Sequence, residues 1–256
     1  MIQTRNENHQ MTAKDKGTAL VTGASSGIGL ATAQALAKAG YRVFGTSRKA
    51  VADPQGVTML ICDVTDDASV AKMVSEVVQQ TGRLDLVVNN AGIGLIGGAE
   101  ESSIAQAQRL FDVNLFGVAR VTNAVLPIMR SQKSGRIINM SSVLGLIPSP
   151  FNAFYASTKH AVEGYSESLD HEVRPYGVRV VLVEPGVTRT SFEENLTRAD
   201  TPLPIYAAER SRMEQRMRQW VETGDAPQVV ADTVVKAAAD AVPKLRYAAG
   251  KQSRQV

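Results

Sequence analysis

Several features are scarce in this sequence of 256 residues, and each scarcity excludes a class of protein. Cys62 is the single cysteine, so no intrachain disulfide can form; this favours a reducing compartment and predicts a cytoplasmic location. No apolar run approaches the ~18 residues that a membrane span needs, and we therefore expect none. The net charge is only +3, without a block of five basic residues, so the composition does not favour nucleic-acid binding.

The first residues differ in composition from the rest of the chain. Residues 1–16 are polar and lack the apolar core of a signal peptide, and we expect them either to form a disordered extension or to reflect an alternative start. The whole chain is 44% hydrophobic and 21% charged, which is ordinary for a globular protein with a substantial core. We therefore predict a single domain over residues 17–256.

Short runs of Val, Ile and Leu alternate with helical patterns along most of the chain. Because these runs are continuously apolar, both faces of the sheet should be covered by helices. The pattern predicts an α/β fold of the Rossmann type, with a doubly wound, mostly parallel, seven-stranded sheet. The alternation breaks at an insertion of about residues 188–224, where we predict a helix over 206–221 and no strand. The predicted strands are residues 18–22, 42–46, 57–62, 84–89, 136–141, 178–183 and 245–249.

A glycine-rich turn follows the first predicted strand and precedes the first predicted helix. Its glycines are Gly23, Gly27 and Gly29, spaced G-x-x-x-G-x-G and not G-x-G-x-x-G. Glycines in this context let the backbone approach a pyrophosphate, while the helix N-terminus supplies N–H groups and partial positive charge. No G-K-[ST] follows, so a P-loop is not predicted. The turn favours dinucleotide binding over an ordinary tight turn.

Tyr155 and Lys159 are four residues apart in a predicted helix and therefore share one face. Ser142 follows the strand predicted over 136–141, so all three side chains can converge. A phenol has a pKa near ~10, and bringing it to about 7 requires roughly 4 kcal/mol, to which a neighbouring ammonium contributes. Tyr155 is thus predicted as a general acid and base, with Ser142 bonding the substrate oxygen. The alternative is a surface helix with a half-buried tyrosine and a solvated lysine.

Five motifs support the catalytic interpretation. They are T-G-x-x-x-G-x-G at 22–29, N-N-A-G at 89–92, Ser142, Y-x-x-x-K at 155–159 and P-G-V-T-R-T at 185–190. In order and spacing they resemble the short-chain dehydrogenase/reductase family, and the resemblance covers nearly all of residues 18–249. It implies hydride transfer between a nicotinamide cofactor and a carbonyl or carbinol carbon. No metal site is predicted.

The resemblance also implies roles for individual residues. Asn114 would support a proton-relay water, Asp63 would contact adenine, and Thr188 would contact the nicotinamide carboxamide. Alternatively, Asn114 only kinks its helix, Asp63 caps a turn, and Thr188 is an N-cap. Lys159 would also bond the nicotinamide ribose. The implied cofactor-binding residues are Thr22, Gly23, Ser25, Ser26, Gly27, Ile28, Gly29, Ser47, Arg48, Asp63, Val64, Asn90, Ala91, Gly92, Tyr155, Lys159, Pro185, Gly186, Val187, Thr188 and Thr190.

The end of the second predicted strand bears on the choice of cofactor. Members of the family that prefer NAD carry an acidic residue there, which bonds the ribose hydroxyls and repels a 2′-phosphate. Here Ser47 and Arg48 occupy this region, and an arginine can form a charge-assisted fork with phosphate. We therefore predict NADP(H), with NAD(H) as the alternative if Arg48 is only a solvated loop charge.

The segment around Tyr155 and the insertion resemble the branch that contains 17β-hydroxysteroid dehydrogenase type 1 and photoreceptor-type retinol dehydrogenase. That branch acts on large apolar alcohols and ketones, so we expect a small-molecule carbonyl or alcohol substrate. The insertion is expected to be a mobile lid that closes over it. The alternative is that its apolar residues serve internal packing or a subunit contact. The predicted pocket residues are Leu144, Ile147, Phe151, Phe192 and Tyr206, with further apolar material at Leu196, Leu203, Ile205, Met213, Met217 and Trp220.

Two other functions share these motifs or this fold. One is a 3-oxoacyl-thioester reductase, which would need a basic docking patch for an acidic carrier protein. The other is a nucleotide-sensing regulator without catalysis, against which the presence of Tyr155 and Lys159 argues. We expect a homo-oligomer, either a dimer or a tetramer. The candidate basic patch consists of Arg210, Arg212, Arg216 and Arg218, interleaved with Glu209 and Glu214.

Overall fold

The computed structural model describes residues 16–190, 192 and 196–256, so the extension expected over 1–16 lies outside it apart from Lys16. Strands and helices alternate along the described chain, and the seven predicted strands are present within about two residues of their expected bounds. The elements are β1 (Thr18–Val21), α1 (Gly27–Lys38), β2 (Arg42–Ser47), β3 (Val57–Ile61), α2 (Asp67–Thr81), β4 (Leu86–Asn89), β5 (Leu95–Ile96), α3 (Ile104–Phe111), α4 (Gly117–Gln132), β6 (Gly135–Met140), α5 (Ala153–Val173), β7 (Val178–Pro185), β8 (Thr197–Arg198), α6 (Ala207–Thr223), α7 (Pro227–Ala239) and β9 (Arg246–Ala249).

The main sheet has seven parallel strands in the order β3-β2-β1-β4-β6-β7-β9. The order reverses between β1 and β4, so the helices α1 and α4 that follow these two strands along the chain lie on opposite faces of the sheet. Ligands of doubly wound sheets bind beyond the carboxyl edge at such a reversal. The predicted Rossmann-type fold is confirmed, and all of the candidate catalytic residues lie on or near this edge.

Two apolar layers hold helices against opposite faces of the sheet. Successive strand residues point to opposite faces, so Leu20 belongs to one layer and Val21 to the other. The layer containing Val21 packs against α1 and α7, through Leu36 and Val234 among others. The layer containing Leu20 packs against α2, α4 and α5. Burial on both faces explains why the strands are continuously apolar in sequence.

The insertion contains a strand, and the prediction of none was wrong. Strand β8 pairs in parallel with β5, with Leu95 opposite Thr197 and Ile96 opposite Arg198. A strand of two residues is too short to show an apolar period, and its partner lies about a hundred residues away in the chain. The helix predicted over 206–221 is present as α6.

One buried carboxylate fastens this part of the insertion to the body of the domain. Glu101 is fully buried, and one of its oxygens accepts a hydrogen bond of 2.7 Å from the Leu203 N–H and pairs with the Arg210 guanidinium. Its other oxygen accepts from the Gly98 N–H at 2.7 Å. The Thr201 N–H donates to the Glu101 carbonyl at 2.9 Å. The segment around residues 201–210 is therefore held by specific polar contacts.

Candidate active site

The site is organised by the first half of α5. Tyr155 and Lys159 lie one turn apart on this helix, and Ser142 stands just beyond the end of β6. The Ser142 hydroxyl oxygen accepts the Leu144 N–H at 3.2 Å and so caps a short 3-10 turn, which fixes its position. The Ser142 hydroxyl lies close enough to the Tyr155 phenol to lower its pKa. The structure thus brings together the three residues that the sequence predicted to converge.

The electrostatics of the pair differ from expectation. Burial raises the pKa of Tyr155 to about 12, although the nearby Ser142 hydroxyl lowers it. The Lys159 ammonium donates to the Met140 carbonyl at 2.9 Å and lies 5.7 Å from the centre of the tyrosine ring. Lys159 therefore does not bring the phenol toward neutral pH here, because desolvation outweighs its charge. Burial lowers the pKa of Lys159 itself to about 8, while the charge of Glu163 raises it.

Asn114 is buried in a π-helical segment, Asp112–Phe116, between α3 and α4. Its amide oxygen accepts the Ile93 N–H at 2.9 Å, and its amide nitrogen donates to the Ile93 carbonyl at 2.9 Å and to the Thr158 hydroxyl at 3.2 Å. The π-helical turn is a local widening of the helix, which is common at functional sites. It directs the Asn114 amide toward α5. There the amide contacts Thr158, which follows Tyr155 by three residues.

The glycine turn and the N-N-A-G motif form one unit across the switch point. The Thr22 hydroxyl accepts N–H groups of Asn90 and Ala91, each at 3.0 Å. The Asn90 amide donates to the carbonyls of Thr22 and Gly23, also at 3.0 Å. Gly23 has φ +67°, and a Cβ there would lie 2.9 Å from the Ala91 Cα. The two turns are consequently fixed to one another, and Gly92 is exposed beside them.

The N-terminus of α1 offers an open approach to an anionic ligand. Ser25 and Ser26 are exposed, and Ser26 occupies the N-cap without using its side chain as a cap. Gly27 has φ +55°, Ile28 is partly buried against the core, and Gly29 packs on the Gly23 carbonyl. A Cβ at Gly29 would collide with the Gly23 carbonyl, and one at Gly27 would lie 3.3 Å from the Thr190 Cβ. This arrangement fits the pyrophosphate of a dinucleotide.

The ends of β2 and β3 hold the four residues predicted to contact the adenosine half of the cofactor. Ser47 is partly buried, and Arg48 is exposed. Asp63 accepts the Thr65 N–H at 2.9 Å and the Thr65 hydroxyl at 2.7 Å, and these bonds lower the pKa of Asp63. Asp63 therefore does cap a turn, which was the alternative role. Val64 is buried against Gly117.

The segment after β7 lies on the other side of the crevice. Pro185 ends β7, and the Gly186 N–H donates to the Ala249 carbonyl at 3.1 Å. The Asp225 N–H donates to the Val187 carbonyl, and Thr188 forms a β-bridge with Asp225, so Thr188 is not an N-cap. The Thr190 side chain approaches the glycine turn, since a Cβ at Gly27 would lie 3.3 Å from the Thr190 Cβ. Both sides of a cofactor cleft are thus in place.

One predicted pocket residue lies beside Tyr155, and two others contact each other. The Phe192 ring lies 6.1 Å from the Tyr155 ring, and Phe151 makes an edge contact of 6.3 Å with Tyr206. Leu144 is partly buried and Ile147 is 36% exposed. The five predicted pocket residues therefore lie in the loop after β6 and in the insertion, with Phe192 packed directly on Tyr155.

A cavity of about 670 Å³ opens between β5, β8 and α6. Charged and apolar side chains alternate in its lining, which includes none of the five predicted pocket residues, so the predicted apolar pocket stays a prediction. Of the predicted apolar residues of the insertion, Leu196 and Met217 line the cavity, whereas Ile205 and Trp220 are 81% and 43% exposed. The lining residues are Ile96, Arg189, Thr190, Leu196, Arg198, Glu214, Met217, Arg218, Val221 and Glu222.

Sequence reasoning missed a charged cluster behind Lys159. Glu163 and Glu184 are buried, and both approach the Arg246 guanidinium. Glu163 follows Lys159 by one helical turn, so the i, i+4 spacing was a signal that could have drawn attention to it. Glu101, which anchors the insertion, carried no comparable signal because its partners are distant in sequence.

A doubly wound sheet with a glycine turn at its switch point, and a Ser–Tyr–Lys group at the same edge, defines a nicotinamide-dependent oxidoreductase. The sequence profile described as short chain dehydrogenase matches residues 17–201. The chain belongs to this family.

Two relatives are similar to this chain over more than two thirds of its length. Over 176 residues the chain is 44% identical to 3-ketodihydrosphingosine reductase of Bacteroides thetaiotaomicron, a match covering 69% of this chain and 65% of that protein. Over 251 residues it is 36% identical to retinol dehydrogenase 8 of Bos taurus, covering 90% of this chain and 80% of that protein. The resemblance to the retinol dehydrogenase branch is thereby confirmed.

Solved structures agree with the fold. A short-chain dehydrogenase from Streptomyces avermitilis superimposes with a TM-score of 0.84 at 34% identity, covering 96% of this chain and 91% of that one. A short-chain dehydrogenase/reductase from Burkholderia phymatum in complex with NAD gives 0.79 at 27% identity, covering 92% and 90%. Among the described residues, no helix has the length and apolarity needed to cross a membrane.

Proposed function

We propose that this protein is an NADP(H)-dependent oxidoreductase that interconverts an apolar ketone and a secondary alcohol. Tyr155 is its general acid and base. The observation that carries the proposal is the convergence of Ser142 and Tyr155, with Lys159 one turn behind on α5. These side chains stand at the carboxyl edge of the sheet, beside a cleft whose backbone suits a dinucleotide.

The bound nicotinamide would supply or accept the hydride, and the protein's residues manage position and proton. In the reducing direction Tyr155 gives its proton to the substrate oxygen, and in the oxidising direction it takes that proton back. A pKa of about 12 keeps the phenol protonated at neutral pH, which is the form required for donation to a ketone. Ser142 holds the same oxygen by a hydrogen bond, because its hydroxyl already stands beside the phenol.

Three groups of residues would hold the cofactor. The pyrophosphate would lie over residues 22–29, where glycines and the α1 N-terminus present N–H groups. Residues 90–92 and 185–190 would border the nicotinamide half, and Lys159 would bond its ribose. Asn114 would support a proton-relay water, an assignment that draws on the family resemblance and on the fixed position of its amide.

The preference for NADP(H) rests on the residues at the end of β2. Arg48 is exposed, follows Ser47, and lies close enough to Asp63 for its charge to lower the pKa of that carboxyl. It can therefore reach the region of the adenosine ribose and offer a guanidinium fork to a 2′-phosphate. Within the described part of β2, no carboxylate competes for that position.

The substrate is proposed to have an apolar body. Phe192 packs on Tyr155, Phe151 packs on Tyr206, and Leu196 adds an aliphatic wall toward the cavity. The relatives include a reductase of a keto compound and a dehydrogenase of an alcohol, both consistent with this chemistry. The insertion would act as a lid over the reacting carbon, excluding water during hydride transfer.

The residues proposed as a carrier-docking patch are partly committed to other contacts. Arg210 is 18% exposed in its side chain and pairs with the buried Glu101, and Arg212 pairs with Glu209. They are thus poorly placed to bind an acidic carrier protein, which weakens the thioester-reductase alternative. The regulator alternative has no supporting feature, since Ser142, Tyr155 and Lys159 are together.

We further propose that the protein is a cytoplasmic homo-oligomer, either a dimer or a tetramer. Two large apolar side chains, Ile104 and Phe116, are 68% and 52% exposed on the α3–α4 surface. Exposed apolar residues grouped on one surface favour association. Light scattering after size-exclusion chromatography measures the mass directly, and a monomer at micromolar concentration would contradict the proposal.

The direct test of the proposed function is a steady-state assay with a graded series of ketones and both reduced cofactors. We expect kcat/KM to rise with the apolar size of the ketone and to be higher with NADPH than with NADH. A preference for short charged ketones would refute the apolar substrate. Absence of turnover with every ketone, and with the corresponding alcohols in the reverse direction, would refute the oxidoreductase assignment itself.

A further inference from the structure

The polar face of α5 continues beyond Lys159 into the protein interior. Glu163 lies one helical turn after Lys159 and is only 5% exposed. Its Oε2 accepts a hydrogen bond of 3.0 Å from the Arg246 Nε–H. Its Oε1 is buried and, among the described residues, has no hydrogen-bond partner. A buried carboxylate oxygen without a hydrogen bond raises the free energy of the folded state, so we expect a positive charge near Glu163.

Arg246 alone does not supply that compensation. Its guanidinium also contacts Glu184 on β7, with 3.2 Å between Nε and the Glu184 Oε1, and pairs with Glu167 through Nη2. We call Glu163, Glu167, Glu184 and Arg246 the carboxylate cluster. One cation serves three carboxylates, two of which are buried, and the same Nε–H faces both buried ones. The cluster therefore carries excess negative charge.

The next cation along this face is Lys159. It is 8% exposed, and its ammonium is held by the Met140 carbonyl at 2.9 Å. Burial alone disfavours the charged form of a lysine, whereas a carboxylate one turn away favours it. In agreement, burial lowers the pKa of Lys159 to about 8 and the charge of Glu163 opposes that change. A neutral Lys159 would lose both the field on Tyr155 and a donor for a cofactor ribose.

We propose that Glu163 is a positioning residue for the reaction, whose buried negative charge, directed by Arg246, keeps the Lys159 ammonium protonated and in place behind Tyr155. The inference rests on the proposed function, because it assigns Glu163 a task only if Lys159 serves hydride transfer. The electrostatic coupling between the charges of Glu163 and Lys159 does not depend on any substrate.

The neighbouring elements present few other charges to this pair. On α5 the titratable neighbours are Tyr155 and Glu167, β7 contributes Glu184, and β9 contributes Arg246. From β6 and the loop after it come the Met140 carbonyl and the hydroxyls of Ser141 and Ser142, of which Ser141 lies against Gly145 near Glu163. The π-helical segment presents the neutral amide of Asn114 through Thr158. Among these groups, Glu163 is the one carboxylate whose charge acts on the pKa of Lys159.

The test is a direct titration of the Lys159 side chain in the whole protein without added cofactor. Protein labelled with 13C-lysine is followed by NMR at the Cε position as pH is varied, and the Lys159 signal is assigned by its loss in Lys159→Arg. We expect Glu163→Gln to lower the titration midpoint of Lys159 by about one pH unit, because a neutral amide replaces the charge. Glu163→Asp retains the charge and should restore most of the midpoint, which a purely steric role would not predict.

Glu167→Gln is the matched control. Glu167 contacts the same guanidinium, but its side chain is 39% exposed and one turn farther from Lys159, so water screens its charge. In Glu167→Gln, the titration midpoint of Lys159 should equal that of the wild type. An unchanged midpoint in Glu163→Gln, or an equal fall in both variants, would overturn the proposal. If Glu163→Gln does not fold, Glu163→Met replaces it, because an apolar side chain of similar length removes the charge without leaving a buried polar atom unpaired, and it should give a fall in the same direction; no fall would likewise count against the idea.

Kinetics then separate this inference from the proposed function. In an active wild type, the alkaline limb of kcat/KM should move to lower pH in Glu163→Gln by the amount seen in the titration. An alkaline limb that stays in place while the Lys159 midpoint moves would refute the role in the reaction. A wild type that turns over none of the ketones or alcohols would refute the proposed function, while the titration would still report whether Glu163 controls the charge of Lys159.

Discussion

Gly29 in the first turn of α1 lies directly over the carbonyl of Gly23, so that a Cβ at residue 29 would be 2.1 Å from the Gly23 oxygen. The neighbour is backbone, which cannot rotate away, and the same Cβ would be 2.4 Å from the Asn90 amide. Close packing of the helix on the turn thus depends on the absence of a side chain at this position.

We expect Gly29→Ala to displace α1 from the turn, lowering the stability by roughly 1–3 kcal/mol and weakening cofactor binding. Chemical denaturation and fluorescence titration with NADPH measure the two effects. The control is Gly164→Ala on α5, where a Cβ meets nothing within 4 Å and the helix should gain up to about 1 kcal/mol. Normal cofactor affinity in Gly29→Ala would show that this packing does not shape the binding site.

Tyr155→Phe should reduce kcat by at least about 100-fold while leaving cofactor affinity nearly unchanged, because it removes only the transferable proton. Tyr165→Phe is the control on the same helix, since that hydroxyl lies near Thr122 of α4 and its removal leaves Tyr155 unchanged. Its activity should be close to that of the wild type. Substantial turnover by Tyr155→Phe would remove the phenol from the mechanism.

Arg48→Ala should raise the KM for NADPH and leave the KM for NADH unchanged, because only NADPH carries the 2′-phosphate that the guanidinium would bind. The neighbouring exposed charge provides a control, and Lys49→Ala should change neither constant appreciably. Equal effects of Arg48→Ala on both cofactors, or a wild type that prefers NADH, would contradict the assignment of NADP(H).

Glu101→Gln should loosen the insertion, because it leaves Arg210 without its buried counter-charge. Breaking such a pair costs about 3–5 kcal/mol, some of which will appear as local opening. Hydrogen exchange should therefore accelerate in α6 more than in α1. Glu209→Gln removes an exposed pair with Arg212 and should change exchange little. Equal protection of α6 in wild type and Glu101→Gln would mean that the anchor lies elsewhere.

Glu184 should make stability depend on pH. Burial, and then the charge of Glu163, raise the pKa of Glu184 from 4.5 to about 7. The folded protein thus holds this proton more tightly than the unfolded chain, so its contribution is complete below pH 4.5 and is lost as pH rises toward about 7. Between these values the free energy of unfolding should fall in the wild type relative to Glu184→Gln, as measured by denaturation across this range. Parallel curves for the two proteins would contradict the raised pKa.

The sheet was predictable because each strand is a continuous apolar run, and such runs identify buried strands in a single sequence. Strand β8 was not, because Thr197 and Arg198 are exposed polar residues that pair with β5 through backbone atoms alone. Its existence depends on tertiary contacts, among them the Gln106 amide bonded to the Arg198 carbonyl at 2.7 Å. No local pattern encodes such a contact.

Some features of the candidate site were likewise predictable from the sequence, and others were not. Spacing alone placed Tyr155 and Lys159 on one helix face, and strand order brought Ser142 to them. The charge state of the Tyr155 phenol could not be predicted from the sequence, because it depends on how completely the surrounding residues exclude water. Glu184 reaches the cluster from β7, so its proximity to Arg246 follows from the register of β7 against β9, which the sequence does not reveal.

The family profile ends at residue 201, and the contacts of Glu101 with Thr201, Leu203 and Arg210 begin at that same point. The part of the chain that the family profile matches is therefore connected to the segment before α6, and to α6 itself, by the hydrogen bonds and the ion pair of Glu101. A chimaera that exchanges residues 202–223 for those of another member should therefore preserve the acceptor at 101 and a donor at 210, together with the partner of Arg198 at 214. If this segment is the proposed lid, substrate preference should move with it, while the residues proposed to hold the dinucleotide stay unchanged.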